Sequence, residues 1–286
     1  MSYIYWRAQN ATEVDALLSA HGSAASILAG GTDLLVQVRD RTTNPRYVVD
    51  ISDLSELSNI ETNGKGMRIG AACPLWRVIE TAMVRERFAA LREAARCVGS
   101  VQIQNRATVV GNICNASPAA DTAPALLIYD AVVGVRSSRG RRRIPLSEFW
   151  LGPRRTGLDV GEWVEYVDVR DAGRHGSCYV KLGRTRGIDL ALVGVAVLAA
   201  DDGFRLAYAA VAPTVRRATL TERLLDPSRG TDQTWEAVER SLATEIDPID
   251  DVRASAEYRS SMALVCTKRG IAVAHKRLLE RGGASG

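Results

Sequence analysis

The sequence predicts an α+β fold. Strand-like runs come early, helical segments separate some of them, and hairpin signals dominate the last third. Two glycine-containing loops follow apolar runs, yet neither has the spacing of a doubly wound dinucleotide fold or of a phosphate-binding P-loop. The length of 286 residues suits one large domain or two modest ones. Polar, Gly-rich sequence over 170–176 marks the boundary, dividing the chain into 1–174 and 175–286.

Each element follows from local pattern. Residues 12–15 read as a helix start, with Val14, Leu17 and Leu18 on one face. Residues 26–29 form a short apolar run that stops at Gly30-Gly31, a strand entering a turn. Leu34, Leu35, Val36 and Val38 continue helically, and 47–51 and 67–71 read as strands, the second preceded by an Asn63-Gly64 turn. Helix propensity predicts one helix over 75–91, anchored by Trp76, Val84, Phe88 and Leu91. Residues 101–121 are weakly charged and turn-rich, the composition of a segment packed around a ligand, and apolar patterns resume at 125–128 and 131–135. The basic run 139–143 is either a solvated hairpin tip or a phosphate or partner contact. Residues 190–200 and 204–211 flank Asp201-Asp202-Gly203, a hairpin signal. The C-terminal 254–281 predicts a helix with Tyr258, Met262, Val265 and Cys266 at helical spacing.

Composition excludes several function classes. The chain is 46% apolar and 24% charged, with a net charge of +4 spread along its length, so nothing points to nucleic acid. The five cysteines form no C-x-x-C and no iron–sulfur run, and the three histidines have no ligand spacing, so no metal site is expected. The longest apolar run is too short to span a bilayer. The odd cysteine count and the absence of an apolar signal core at the start place the chain in a reducing cytoplasm.

The first loop is Ala29-Gly30-Gly31-Thr32-Asp33. Two glycines after a strand let backbone N–H groups approach an anion, and Thr32 and Asp33 add hydrogen-bonding groups. The second is Thr108-Val109-Val110-Gly111-Asn112, running on to Asp121. Read alone, either loop is an ordinary turn or a ligand cradle.

Together they are more specific. AGGTDL followed by TVVGNICNASPAAD resembles the FAD-binding subunits of the molybdenum hydroxylase family, the medium flavoprotein subunits of xanthine dehydrogenase-like and carbon monoxide dehydrogenase-like enzymes. YVKLGRTRGIDLA at 179–191 and AEYR at 256–259 resemble the start and the last helix of that family's C-terminal domain, so the resemblance runs through the chain in order. One position departs from the pattern. Val110 stands where the family usually has the first of two glycines, which either moves the loop away from the pyrophosphate or requires Val110 to take a negative φ.

The resemblance implies a two-subdomain FAD-binding fold, split near residue 55, then a smaller domain of antiparallel strands and a C-terminal helix. Ile27, Leu28, Ala29, Gly30, Gly31, Thr32, Asp33 and Leu34 would wrap the pyrophosphate and ribityl chain, and Gly31→Trp would fill the space the pyrophosphate needs. Thr108, Gly111 and Asn112 would close from the other side. Asp121 would accept from a ribityl or ribose hydroxyl, its other reading being a helix cap. Lys181 would lie near the flavin and stabilise its reduced form, its other reading being a surface lysine. Val98, Gly99 and Val164 align with flavin contacts, and Trp163, Tyr166 and Tyr179 are candidate stacking partners or core residues.

No acid–base or nucleophilic residue is required, so no catalytic residue is assigned. FAD would be held without a covalent bond, Cys114 and Tyr179 being the nearby attachment candidates. The resemblance further implies a heterotrimer. A small subunit would carry iron–sulfur clusters and a large one molybdopterin, where the organic substrate is oxidised. Electrons would reach FAD one at a time and leave in pairs to an external acceptor (NAD, oxygen or a quinone). The GGTD form of the first loop points to a purine or N-heterocycle enzyme. Two other readings stand beside this one: an interaction protein that merely retains the fold, and a self-sufficient flavin oxidase.

Overall fold

The computed structural model describes residues 3–62, 64–185 and 187–282. The predicted turn residue Asn63 and Arg186 of the third block lie outside them.

The first sheet has Tyr47–Asp50 at its centre, with Ile4–Arg7 and Ala25–Leu28 parallel on either side. The helix Ala11–His21 connects the two flanking strands. It begins at Asn10, whose side chain accepts from the Glu13 N–H at 3.0 Å, while Glu13 reaches back to the Gln9 N–H at 2.7 Å. Val14 and Leu18 are buried as their spacing predicts, but Asp15 is buried beside them.

The second sheet is antiparallel, in the order Ile60–Thr62, Gly66–Gly70, Trp163–Arg170, Val132–Ser137, Gly140–Pro145. Of the basic run, Arg139 sits at the hairpin tip and donates to the Val160 carbonyl, while the edge strand pairs Arg141 with Glu165, Arg142 with Glu162 and Arg143 with Asp168.

The single helix predicted for 75–91 is three: Leu75–Glu80, Ala82–Arg87 and Ala89–Arg96. Thr81 turns extended at φ −63°, ψ 127° and Phe88 leaves the helical region at φ −123°, ψ 52°. These breaks let Leu75, Val84 and Phe88 all reach the core, whereas a straight helix carries one stripe only. Trp76, predicted as an anchor, faces outward.

The third sheet runs His175–Leu182, Val193–Ala200, Gly203–Ala209, Arg216–Arg217, all antiparallel. Val193–Ala200 is buried along its whole length because both faces are covered. Val193, Val195, Val197 and Ala199 join the core beneath the long helix Ala256–Gly282, while Ala196, Leu198 and Ala200 join the core of the N-terminal part. This explains a continuous apolar run where a half-exposed strand would alternate. The long helix buries Ala263, Cys266, Ile271 and Ala274, and its stripe passes through Arg259, leaving Tyr258 exposed. Arg259 donates through Nη1 to the carbonyls of Leu192 and Ala210 and through Nη2 to Asp251, while its Nε is buried without a partner.

Candidate functional site

A cavity of about 450 Å³ opens between the first and second sheets, within the size range of small-molecule and cofactor sites. One wall is the segment that leaves Ala25–Leu28, runs through Ala29-Gly30-Gly31-Thr32-Asp33 and enters the helix Leu34–Arg39. Among the described residues, the N–H groups of Gly30, Gly31, Thr32, Asp33 and Leu34 find no protein acceptor, nor do the hydroxyls of Ser23, Ser26 and Thr32. A run of unpaired donors along a cavity is a cradle for an anion.

Gly30 is where this wall meets the second loop. A Cβ there would overlap the Arg106 carbonyl oxygen and lie 2.8 Å from the Ala107 Cα. Gly31 is different. Its φ of +75° is the left-handed conformation that glycine takes without strain, and a Cβ on it would point at Leu28 and Leu35, not into the cavity. The space-filling reason expected for Gly31→Trp is therefore corrected: the side chain would strike Leu28 and Leu35 first.

The second loop is a helix N-terminus. Thr108 caps the helix Val109–Cys114, its Oγ1 accepting from the Gly111 N–H at 2.8 Å. Gly111 thus spends its N–H inside the protein, and Asn112 holds Thr122 through its Oδ1, 2.6 Å from the Thr122 hydroxyl. Val110 is the second helical residue, buried, with a negative φ, so its replacement of glycine introduces no strained backbone. The two loops are tied together by Asn115, which donates to Asp33 at 3.1 Å and accepts from Gln37 at 2.9 Å.

The opposite wall is residues 158–164, with Trp163 and Val164 at the sheet end. Trp163 is 1% exposed. Its indole N–H donates to Asp15 at 2.8 Å, and Arg136 binds the other oxygen of Asp15 at 2.8 Å and Glu165 at 2.8 Å. Asp15 belongs to the first-sheet side and the other three to the second sheet, so this cluster ties the two sides together next to the cavity.

Of the residues expected at the site, Ile27, Ala29 to Leu34, Val98, Thr108, Gly111, Asn112 and Val164 line the cavity. Leu28, Gly99, Asp121 and Lys181 stand outside its lining. Leu28 turns towards Gly31. Gly99 lies at the turn before the helix Val101–Gln104. Asp121 and Lys181 are closed on one another at 2.9 Å behind the wall. Neither Tyr166, stacked under the Arg68 guanidinium at 3.6 Å, nor Tyr179 reaches the cavity. Sequence reasoning missed Ser23, Ser26 and the 158–162 wall, whose only local signal is the glycine pair Gly157 and Gly161.

No lysine or arginine lines the cavity among the described residues. Asp33 is reached by solvent there, yet the protein around it pushes its carboxyl above the usual range, with Arg154 pulling the other way. Cys114 also lines the cavity, and burial pushes its thiol up to about 12.

Residues 1–169 match the FAD binding domain in molybdopterin dehydrogenase. The chain belongs to the FAD-binding subunits of the molybdenum hydroxylases. Residues 178–274 of this flavoprotein subunit match the CO dehydrogenase flavoprotein C-terminal domain. The subunit is 35% identical over 273 residues to the xanthine dehydrogenase FAD-binding subunit of Escherichia coli O157:H7, covering 92% of this chain and 94% of that one. It is 32% identical over 280 residues to the carbon monoxide dehydrogenase medium chain of Hydrogenophaga pseudoflava, covering 96% and 97%. A solved carbon monoxide dehydrogenase from H. pseudoflava, in a form lacking the Mo-pyranopterin moiety, superposes with a TM-score of 0.89 at 30% identity over 97% of this chain and 98% of that one. The resemblance read from the two loops holds, and with it the α+β class and the oxidoreductase assignment.

Proposed function

We propose that FAD lies in the cavity between the two loops, held without a covalent bond, and that the chain relays electrons within a heterotrimeric molybdenum hydroxylase. The observation that carries this reading is the run of unpaired N–H groups from Gly30 to Leu34, which suits a pyrophosphate in a cavity without cationic side chains. Apolar Ile27, Val98, Val110 and Val164 suit a flat ring system beside it. FAD held there would supply the switch between one-electron and two-electron transfer, and the chain's task would be to hold and tune it. In this reading a small subunit supplies electrons from iron–sulfur clusters, a large molybdopterin subunit oxidises the substrate, and an external acceptor takes the pairs in the cytoplasm. The names of the xanthine and carbon monoxide dehydrogenase relatives support it. Among the described residues no helix is long and apolar enough to cross a membrane. The reading also assigns 1–174 to the FAD-binding part, split near 55 between the first two sheets, and 175–286 to the C-terminal domain.

The purified chain should show a flavin absorbance spectrum, or acquire one on addition of FAD. A colourless chain that takes up none refutes the proposal. Acid precipitation should leave the yellow colour in the supernatant. The raised Cys114 thiol disfavours the thiolate that covalent attachment needs, and Tyr179 donates to Asp121 at 2.8 Å away from the cavity.

Asp33 gives a pH dependence. Its carboxyl is raised, and an anion bound nearby raises it further, so binding favours the protonated form. FAD affinity should therefore rise as pH falls through that raised value and weaken as pH rises above it. In Asp33→Asn the slope should vanish, with binding at pH 8 tighter by roughly threefold to tenfold. Fluorescence titration from pH 4 to 8.5 measures both; a slope unchanged in the variant removes Asp33 from the explanation.

A further inference from the structure

Behind the cavity wall lies a buried polar cluster. Tyr179 and Lys181 are two residues apart on the strand His175–Leu182, so their side chains leave the same face. The Tyr179 hydroxyl donates to Asp121 Oδ1 at 2.8 Å. Lys181 Nζ donates to Asp121 Oδ2 at 2.9 Å and to the Cys97 carbonyl at 3.1 Å, leaving one of its three protons uncommitted. Both ends of the cluster are one residue from the cavity. Cys97 precedes Val98, which lines it, and Asp121 precedes Thr122, whose hydroxyl is bonded to the lining residue Asn112.

The sequence makes room for this arrangement. Gly194 stands opposite Lys181 in the neighbouring strand, and a Cβ on it would overlap the Tyr179 hydroxyl. A phenylalanine at 179 would leave only the ring carbon, 3.2 Å from such a Cβ, so the overlap that the missing Cβ avoids is chiefly with the hydroxyl.

We propose that Tyr179, seated over Gly194, is a positioning residue for the flavin: it fixes the Asp121 carboxylate and, through it, Lys181, and so sets the wall segments at Val98 and Asn112. The C-terminal sheet thereby shapes the cofactor cavity without touching it. This inference rests on FAD occupying that cavity.

The test uses the full chain and FAD, reading the dissociation constant, the midpoint potential of the bound flavin and the Tm. Tyr179→Phe keeps the packing and removes one hydrogen bond from a buried carboxylate, so FAD should bind about tenfold more weakly, with a shifted potential. Gly194→Ala should weaken binding as well and lower the Tm. Gly194→Ala combined with Tyr179→Phe should lose much less than the sum of the two single losses, because the hydroxyl that the new methyl overlaps is gone and only a ring-carbon contact at 3.2 Å remains. Tyr179→Phe with unchanged affinity and potential, whatever its Tm, overturns the inference while leaving FAD binding intact. Strictly additive losses in the double variant overturn it too. A wild-type chain that takes up no FAD overturns the cofactor reading and this inference with it.

Discussion

Gly30→Ala is expected to yield a chain that purifies without flavin and binds added FAD about a hundredfold more weakly, the effect of overpacking by some 2–3 kcal/mol. The new methyl would meet the Arg106 carbonyl and the Ala107 Cα, which are backbone atoms and cannot turn aside. The first loop must therefore lift off the second, and the unpaired N–H groups move with it. Gly31→Ala is the informative control. Its methyl would meet the ends of Leu28 and Leu35 at 2.9 and 3.1 Å, and leucine ends can rotate. The left-handed backbone there adds about 1 kcal/mol, so affinity should fall only severalfold. Titration of both variants by flavin fluorescence gives the ranking, and a Gly30→Ala chain that binds like wild type would falsify this account of the cradle.

Asp15→Ala is expected to lower the Tm by roughly 6–12 °C, from about 3 kcal/mol lost on breaking a buried ion pair in a chain of this size. Arg136 would keep Glu165, but the Trp163 indole N–H would be buried without an acceptor. Asp15→Asn should fall between, because an amide oxygen can still accept from one donor. The loss should be partly recovered by saturating FAD, which stabilises only the folded chain. Thermal unfolding with and without FAD decides; a Tm within about 2 °C of wild type would mean that Asp15 does not hold the two sides together.

The fold class and the two loops were legible because they are local. Gly30-Gly31 follows an apolar run, and Gly111-Asn112 stands out in a weakly charged segment, although the helix that Thr108 caps there reads in the sequence as a loop. What escaped was whatever depends on a distant partner. Asp15 looks like a first-turn acid on an amphipathic helix; only Trp163 and Arg136, far along the chain, make it a buried anchor. The breaks at Thr81 and Phe88 are equally silent, since all the residues between them except Val84 favour a helix and the pull comes from the core. Ser23 and Ser26 carry no motif at all; one lies in the turn before the strand Ala25–Leu28 and the other on that strand, and only the packing of the two sheets puts them at the cavity. Asp121 and Lys181 have separate roles in the resemblance and are paired in space, and the sequence holds no sign of that pairing or that Tyr179 and Gly194 complete the group.

The strand Val193–Ala200 belongs to two cores at once, and this constrains how the chain is made. Emerging from the ribosome, residues 1–174 present the helices Ala89–Arg96 and Thr122–Ile128 with no sheet to cover them. Their apolar faces stay wet until Ala196, Leu198 and Ala207 have been synthesised and docked. The cofactor part is therefore complete only when translation has passed the third sheet, although folding runs from the N-terminus. A chain cut short near residue 174 would keep an uncovered apolar surface, and is expected to be open to proteases and a poor flavin carrier.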